Sequence, residues 1–317
     1  MLTELKFVQG AVAKKDFVPA LTHFKIESGR VQGFNGTLAL SSPIPFDISC
    51  KPKAEPLVKA IANCDETVSL SLTPTGKLSI RSGKFRALID CVDGEVPQVQ
   101  PEGDHIAVDG ATMLDAIKVA APFVGDDASR PWTNGLLFKG SSVYATNNVM
   151  LIEYWTGVPF PVPVNLPRAA IKEILRLDEP PLEVQVTENS ASFHFSGERW
   201  LRTQLLPSDW PDLARILDKP SSPVALDAGL LDALKIIRPF TDKFGRVLFR
   251  GGRVCTHETD AEGASYDIEG FIWDGVYQID MLTTLCGTAK TIDWSLYPSP
   301  CLFYGDRLRG AIIGMRQ

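Results

Sequence analysis

The sequence predicts an α+β fold in which one small domain, two helices laid on an antiparallel sheet, is used three times. The first observation is a duplicated phrase: Leu114-Asp-Ala-Ile-Lys-Val-Ala-Ala-Pro-Phe123 recurs as Leu231-Asp-Ala-Leu-Lys-Ile-Ile-Arg-Pro-Phe240. A blurred third copy opens the chain, with Leu2, Leu5 and Lys6 standing where Leu114, Ile117 and Lys118 stand. The copies start about 115 residues apart, far beyond the roughly 20–50 residues of solenoid or propeller repeats. The second observation is a recurring hairpin signal. Ser82-Gly83-Lys84, Ser196-Gly197-Glu198 and Tyr304-Gly305-Asp306 each sit between alternating apolar and polar residues, the pattern of half-buried strands around a turn. The third is Glu95-Val-Pro-Gln-Val99, echoed by Asp209-Trp-Pro-Asp-Leu213. Polar, proline-containing stretches at 98–104 and 218–223 follow and read as linkers, giving domains 1–103, 104–217 and 218–317.

Within the second repeat, residues 112–121 put Met113, Ile117 and Ala120 on one helical face with Asp115 and Lys118 opposite. Strands are expected at 135–139, 142–145 and 151–155, then a proline-rich loop through Pro159, Pro161 and Pro163. A helix follows over 167–177, with proline in its first turn, where a missing N–H costs nothing. Alternating strands are expected at 182–187, 191–195 and 199–206. The matching second helices are expected at 56–63 in the first repeat and near 277–286 in the third.

At 317 residues, 44% hydrophobic and 22% charged, the composition is that of an ordinary globular protein, and domains of about 100 residues are of usual size. No apolar run approaches the roughly 18 residues of a membrane span and no charged-then-apolar leader is seen, so a soluble cytoplasmic protein is expected. Six scattered cysteines without a C-x-x-C pair read as buried free thiols. The net charge of −6 weighs against a nucleic-acid partner, but it is a sum over the whole surface and does not bear on a basic stripe along one face.

Such a stripe is expected on the helix at 167–177. Arg168, Lys172 and Arg176 fall at i, i+4 and i+8, Ile171, Ile174 and Leu175 turn to the sheet, and only Glu173 interrupts the positive charge. Lys118, Lys235 and Arg238 take polar faces of the first helices, and Lys59 that of the second helix of repeat one. Singly these are solvated faces of amphipathic helices. Recurring in corresponding helices, they suit a partner that is itself a repeating polyanion.

The sequence holds no phosphate loop, dinucleotide fingerprint or nucleophile elbow, and His23, His105, His194 and His257 lie in different segments. His257 has only Cys255 as a neighbouring ligand, too few for zinc. Glu258, Asp260, Glu262 and Asp267 read as a solvated acidic loop rather than a metal site. Asn35-Gly-Thr37 matches a glycosylation acceptor but has no secretory leader before it. No catalytic residue, metal or cofactor is expected, and an enzyme on triplicated domains lacks its clustered groups.

Several phrases, in order, resemble the bacterial and phage DNA polymerase sliding clamps, the beta-subunit type of processivity factor. Ala13-Lys-Lys-Asp-Phe-Val-Pro-Ala-Leu21 is similar to the family's basic segment followed by proline and leucine, and Ile80-Arg-Ser-Gly-Lys84 to its first-domain hairpin. Asn134-Gly-Leu-Leu-Phe138 and Ala145-Thr-Asn-Asn-Val-Met-Leu151 resemble the strand and A-T-D-G-H-R-L turn of domain two. Trp210-Pro-Asp212 is similar to F-P-D, Lys243-Phe244 to K-F, and Ile313-Gly-Met-Arg-Gln317 to the terminal M-P-M-R-L.

The resemblance implies a homodimeric ring of six such domains around duplex DNA, sheets outside and helices inside, loaded by an ATP-driven clamp loader. It implies DNA-facing roles for Lys14, Lys15, Lys59, Lys118, Arg168, Lys172, Arg176, Lys235 and Arg238, contacting phosphates without reading bases. It also implies a pocket for short peptides of the polymerase and clamp loader, lined by Thr146, Leu151, Pro211, Arg215, Ile216, Phe244, Pro300, Leu302, Ile313 and Met315. The apolar members equally fit a domain-junction core. Ile106 and Phe240 are placed at the dimer contact. The chain departs from the family at Asn147 to Met150, which replace D-G-H-R, and at Gly314 and Gln317, which replace proline and leucine. A different peptide preference is therefore expected. The chain is also shorter than typical bacterial clamps. The rival expectation is a clamp-like peptide-binding scaffold that does not encircle DNA.

Overall fold

Apolar residues at helical spacing set the main helices close to where the sequence predicts them. The structure, a computed structural model, describes residues 1–65, 67–259 and 262–315. Helix α1 (Leu2–Gln9) buries Leu5, Phe7 and Val8, and α2 (Ala54–Ala62) buries Leu57, Val58 and Ile61. Helix α3 (Gly110–Ala120) buries Met113, Ile117 and Ala120 and exposes Asp115 and Lys118. Helix α4 (Arg168–Leu177) starts after Pro167 and buries Ala170, Ile171 and Ile174, while Leu175 is half-buried. The short α5 (Ala214–Leu217) precedes α6 (Leu230–Ile237) and α7 (Ile279–Cys286). The last begins later than expected because Tyr277, fully buried, belongs to the strand Gly275–Gln278. The Gln278 side chain then caps α7 by accepting from the Met281 N–H at 2.9 Å.

The chain forms two compact units, one of Met1–Leu114 with Leu166–Leu206, the other of Asp115–Asn165 with the residues from Pro207 onward. The first holds a seven-stranded antiparallel sheet in the order Lys25–Glu27, Arg30–Phe34, Leu38–Pro43, Arg199–Gln204, Ser190–Phe195, Glu183–Val186, Asp104–Ala107. Its central seam sets Trp200 opposite Ser41, Leu201 opposite Leu40 and Thr203 opposite Leu38. Helix α1 packs on the strands Arg30–Phe34 and Leu38–Pro43, and the edge of the Phe7 ring meets Phe195 at 6.0 Å. A smaller sheet joins Ser69–Leu72, Leu78–Ser82 and Phe85–Ile89, turning at Gly83 with φ +54°.

The second unit holds a six-stranded sheet in the order Val224–Ala225, Thr291–Ile292, Cys301–Gly305, Leu308–Ile312, Met150–Pro167, Gly135–Thr146. It also holds a four-stranded sheet, Ser265–Asp267, Arg253–Cys255, Arg246–Arg250, Gly275–Gln278. Phe249, Phe271, Tyr277 and Trp294 cluster in this unit, with ring centroids 4.9 to 6.2 Å apart.

The expected proline-rich loop is instead the continuation of a single strand, Met150–Pro167, and the two strands expected before it are one, Gly135–Thr146. Alternate residues of a strand point their N–H groups to the same edge, so Pro159, Pro161 and Pro163 remove donors from one edge and leave the other able to pair. The neighbouring strand Leu308–Ile312 meets this strand at Met150 to Tyr154, before these prolines.

One polar knot ties this sheet together. Glu153 accepts from the Ser142 and Tyr144 hydroxyls at 2.8 and 2.6 Å and from Arg309 Nε at 2.7 Å, while Arg309 Nη1 donates to Asp218 at 2.7 Å. Burial pushes the Glu153 carboxyl up, but these donors outweigh it and hold it below its ordinary 4.5. A carboxylate depressed in the folded state adds stability above its unfolded pKa and loses it as pH falls through the folded one. Urea midpoints are therefore expected to drop as pH falls below about 4.5, and Glu153→Gln is expected to flatten part of that drop while costing roughly 1–3 kcal/mol at neutral pH. Unchanged pH dependence in that variant would contradict the assignment.

Candidate nucleic-acid interface and apolar cleft

All nine lysines and arginines singled out in the sequence are exposed, but they differ in what they face. In the first unit, α2 packs against α1, and α4 reaches α1 through Arg176, whose Nη2 donates to the Phe7 carbonyl at 2.9 Å. Arg176 also donates through Nε to Glu173 at 2.7 Å. Glu173 is buried, and a Cβ on Gly10 would lie 1.7 Å from its Oε1, so the end of α1 needs a glycine there. The one acidic interruption of α4 is thus turned inward and neutralised by Arg176. That arginine is a structural partner of the carboxylate as well as a surface charge. Arg168 and Lys172 lie on the exposed face of α4.

Lys14 and Lys15 stand on an exposed loop after α1. Lys59 donates to Glu55 at 2.6 Å. That hydrogen bond, with the charges of Lys59, Lys14 and Lys53, holds Glu55 below the usual carboxylate range. Lys59 thus pairs directly with Glu55, and Lys14 and Lys53 lie near enough for their charges to act on it.

In the second unit the positive charge is weaker. Lys235 donates to Asp232 at 3.0 Å, Arg238 to Asp280, and α7 contains no lysine or arginine. Lys118 is exposed on α3 near Asp115, which accepts from the Tyr154 hydroxyl at 2.7 Å.

Three of the expected pocket residues, Leu151, Ile216 and Leu302, meet on the six-stranded sheet. Leu302, Ala311 and Leu151 are direct cross-strand neighbours, forming one row across three strands. The small central alanine makes the row a shallow trough between two leucines. Leu213, Ile216 and Leu217, in and beside α5, close over it with Leu296 and Tyr304. The next row on the same face is polar, Tyr304 to Arg309 to Glu153. The result is a buried apolar cluster with a polar row beside it on the same sheet face. Leu151 and Leu302 are buried in the floor; Ile216 is half-buried on the wall.

The other expected residues stand around this cleft in different roles. Thr146 is buried and donates to the Met150 carbonyl at 2.7 Å, closing the turn that positions Leu151. In that turn Asn148 takes φ +70°, where the sliding-clamp phrase has glycine; asparagine is one of the few residues to tolerate it. Ile313, half exposed, donates its N–H to the Val149 carbonyl, and Met315 donates its own to Val276. Pro300 precedes the strand Cys301–Gly305, while Pro211 is exposed before α5 and Arg215 is exposed within it, paired with Asp212 at 3.2 Å. Phe244 does not join the cluster: it is exposed on its own turn beneath Lys243. Leu213 and Leu217 were missed in the sequence, although their spacing with Ile216 is helical.

Ile106 is half-buried on Asp104–Ala107, the end strand of its sheet, and Phe240 is more than half exposed after α6. His194 is half-buried, its Nε2 2.8 Å from Gln185 Oε1 on the adjacent strand. Of the acidic segment, Asp267 pairs with Arg253 at 2.7 Å, and Asp260 lies outside the described residues, as do Arg316 and Gln317. Among the described residues no cluster of three or more His, Cys, Asp or Glu is arranged to hold a metal, and no helix is long and apolar enough to cross a membrane.

No family model matches the sequence, and no curated protein does. Solved structures match over the whole chain. A Caulobacter crescentus beta sliding clamp superposes with a TM-score of 0.86 at 18% identity, covering 100% of this chain and 97% of that one. The Pseudomonas aeruginosa DNA polymerase III subunit beta, solved bound to griselimycin, gives 0.83 at 17% with the same coverage. The beta subunit from DNA polymerase of Streptococcus pyogenes also gives 0.83 at 17%, again over 100% and 97%. The chain has the sliding-clamp fold. The α+β class with antiparallel sheets, expected from the repeats, is the class of these clamps.

The core and cleft readings of Leu302 and Ile216 separate by stability. Leu302→Ala is expected to cost about 2–5 kcal/mol as a cavity in the floor, and Ile216→Ala less than half as much, read from denaturation midpoints. Equal costs would make the trough a closed core.

Proposed function

We propose that this chain is a DNA sliding clamp, a non-enzymatic processivity factor that encircles duplex DNA and tethers a replicative polymerase. Domains 1–103, 104–217 and 218–317 would close as a homodimer into a six-domain ring, with Ile106 and Phe240 at or near the contact. Lys14, Lys15, Lys59, Lys118, Arg168, Lys172, Arg176, Lys235 and Arg238 would meet phosphates. The trough over Leu302, Ala311 and Leu151 would take short peptides of the polymerase and the clamp loader. The observation that carries the reading is the exposed cationic face of α4, its one acid turned inward, in a chain whose whole length takes the clamp fold. Phosphate contacts without base readout let such a ring slide.

A peptide-binding scaffold that does not encircle DNA is favoured by the altered turn at Asn147 to Met150, and also by the pairing of Lys235 on α6 and of Arg238 just after it, with no lysine or arginine on α7. Scattering coupled to size exclusion separates the two. A mass near twice 34.7 kDa with the distance distribution of a hollow ring is expected; a monomer that neither DNA nor a loader closes would overturn the ring.

Charge reversal tests the DNA face. Arg168→Glu with Lys172→Glu is expected to abolish retention on circular DNA while leaving the melting temperature unchanged. Arg176→Glu is expected to cost stability as well, roughly 1–3 kcal/mol, because it strands the buried Glu173. Full retention in the double variant would sink the assignment.

A further inference from the structure

Phe17 is 105% exposed, the most exposed large apolar side chain among the described residues, and Val18 beside it is half exposed. The loop that carries them is pinned. Asp16 Oδ1 accepts from the Val18 N–H at 2.8 Å, Leu21 donates to the Val18 carbonyl, and Ala13 donates to the Leu21 carbonyl. Pro19 opens a short 3-10 turn whose carbonyl lies 2.7 Å from Nδ1 of the buried His23. The ring is therefore held out in water by a fixed backbone. A ring held in water gains on being covered, so a partner with a flat apolar face would find a ready contact here.

The surroundings choose its chemistry. Lys14 and Lys15 stand just before the ring on the same exposed loop, and the charges of Lys14, Lys53 and Lys59 act on Glu55, with Lys53 also near Asp90. Asp16 accepts from the Val18 N–H through one carboxylate oxygen. An exposed aromatic face beside ammonium groups matches a partner that alternates phosphates with flat apolar rings. Duplex DNA offers the phosphates but keeps its bases stacked inside. We propose that the loop at residues 14–18 seats single-stranded DNA, with Phe17 stacking on an unpaired base and Lys14 and Lys15 holding the phosphates beside it. This goes beyond the clamp reading and rests on it for the DNA partner. It adds contact with the unpaired strand where duplex gives way to template.

The test is equilibrium binding, at low salt, of an oligothymidylate and of a linear duplex of equal strand length. Phe17→Ala and Phe17→Leu are each expected to weaken oligothymidylate binding at least five-fold, the lower end of one base–aromatic stack. Phe17→Trp should retain it, and duplex affinity should stay within about two-fold in all three. Lys14→Glu with Lys15→Glu should weaken both ligands. Oligothymidylate binding unchanged in Phe17→Ala, kept fully in Phe17→Leu, or lost together with duplex binding would each overturn the stacking role. If the unaltered protein bound duplex but not oligothymidylate, this inference alone would fall. If it bound neither, the DNA reading would fall with it.

Discussion

The antiparallel seam between Leu38–Pro43 and Arg199–Gln204 joins two distant stretches of chain into one sheet, and much of the first unit hangs on it. Leu201 faces Leu40 across the seam, and both are fully buried. A slip of one residue would turn Leu201 outward and move every buried side chain of its strand to the other face. The Phe7 contact on Phe195 would lose its platform, and with it the placement of α1. Because α4 reaches α1 through Arg176 and Glu173, the cationic helix face is positioned by the same pairing. The charge that would meet DNA is thus set by apolar register, not by the charges themselves.

The second unit obeys the same constraint in a different way. Alternation along three neighbouring strands lines up Leu302, Ala311 and Leu151 in one row and Tyr304, Arg309 and Glu153 in the next. The trough and its charged rim are consecutive rows of one sheet face. A larger residue in place of Ala311 would level the floor without touching the rim. The polar knot around Glu153 fixes the pairing that keeps those rows in step.

Local features were legible in the sequence because they depend on neighbouring residues. The faces of α3 and α4 follow from helical spacing, the turns at Gly83 and Gly197 from residues that accept positive φ, and the tight turn at Asn148 from the resemblance of its phrase. What sequence reading missed depends on partners far along the chain. Pro159, Pro161 and Pro163 announce a loop until the strand beside them shows which edge stays paired. Arg176 looks like one more surface cation until Phe7 and Glu173 supply its acceptors. The trough needs Ala311, far from α5 in the chain, to lie between two leucines, and no spacing encodes that.

The prolines of the strand Met150–Pro167 also bear on how the chain behaves in a crowded solution. A strand carrying Val158, Phe160 and Val162 has the composition that recruits other strands into aggregates. With no amide hydrogen at three alternate positions, one of its edges cannot complete a ladder with an incoming chain. Exposed Val158 and Val162 can thus sit on the surface while that edge is closed to misassembly.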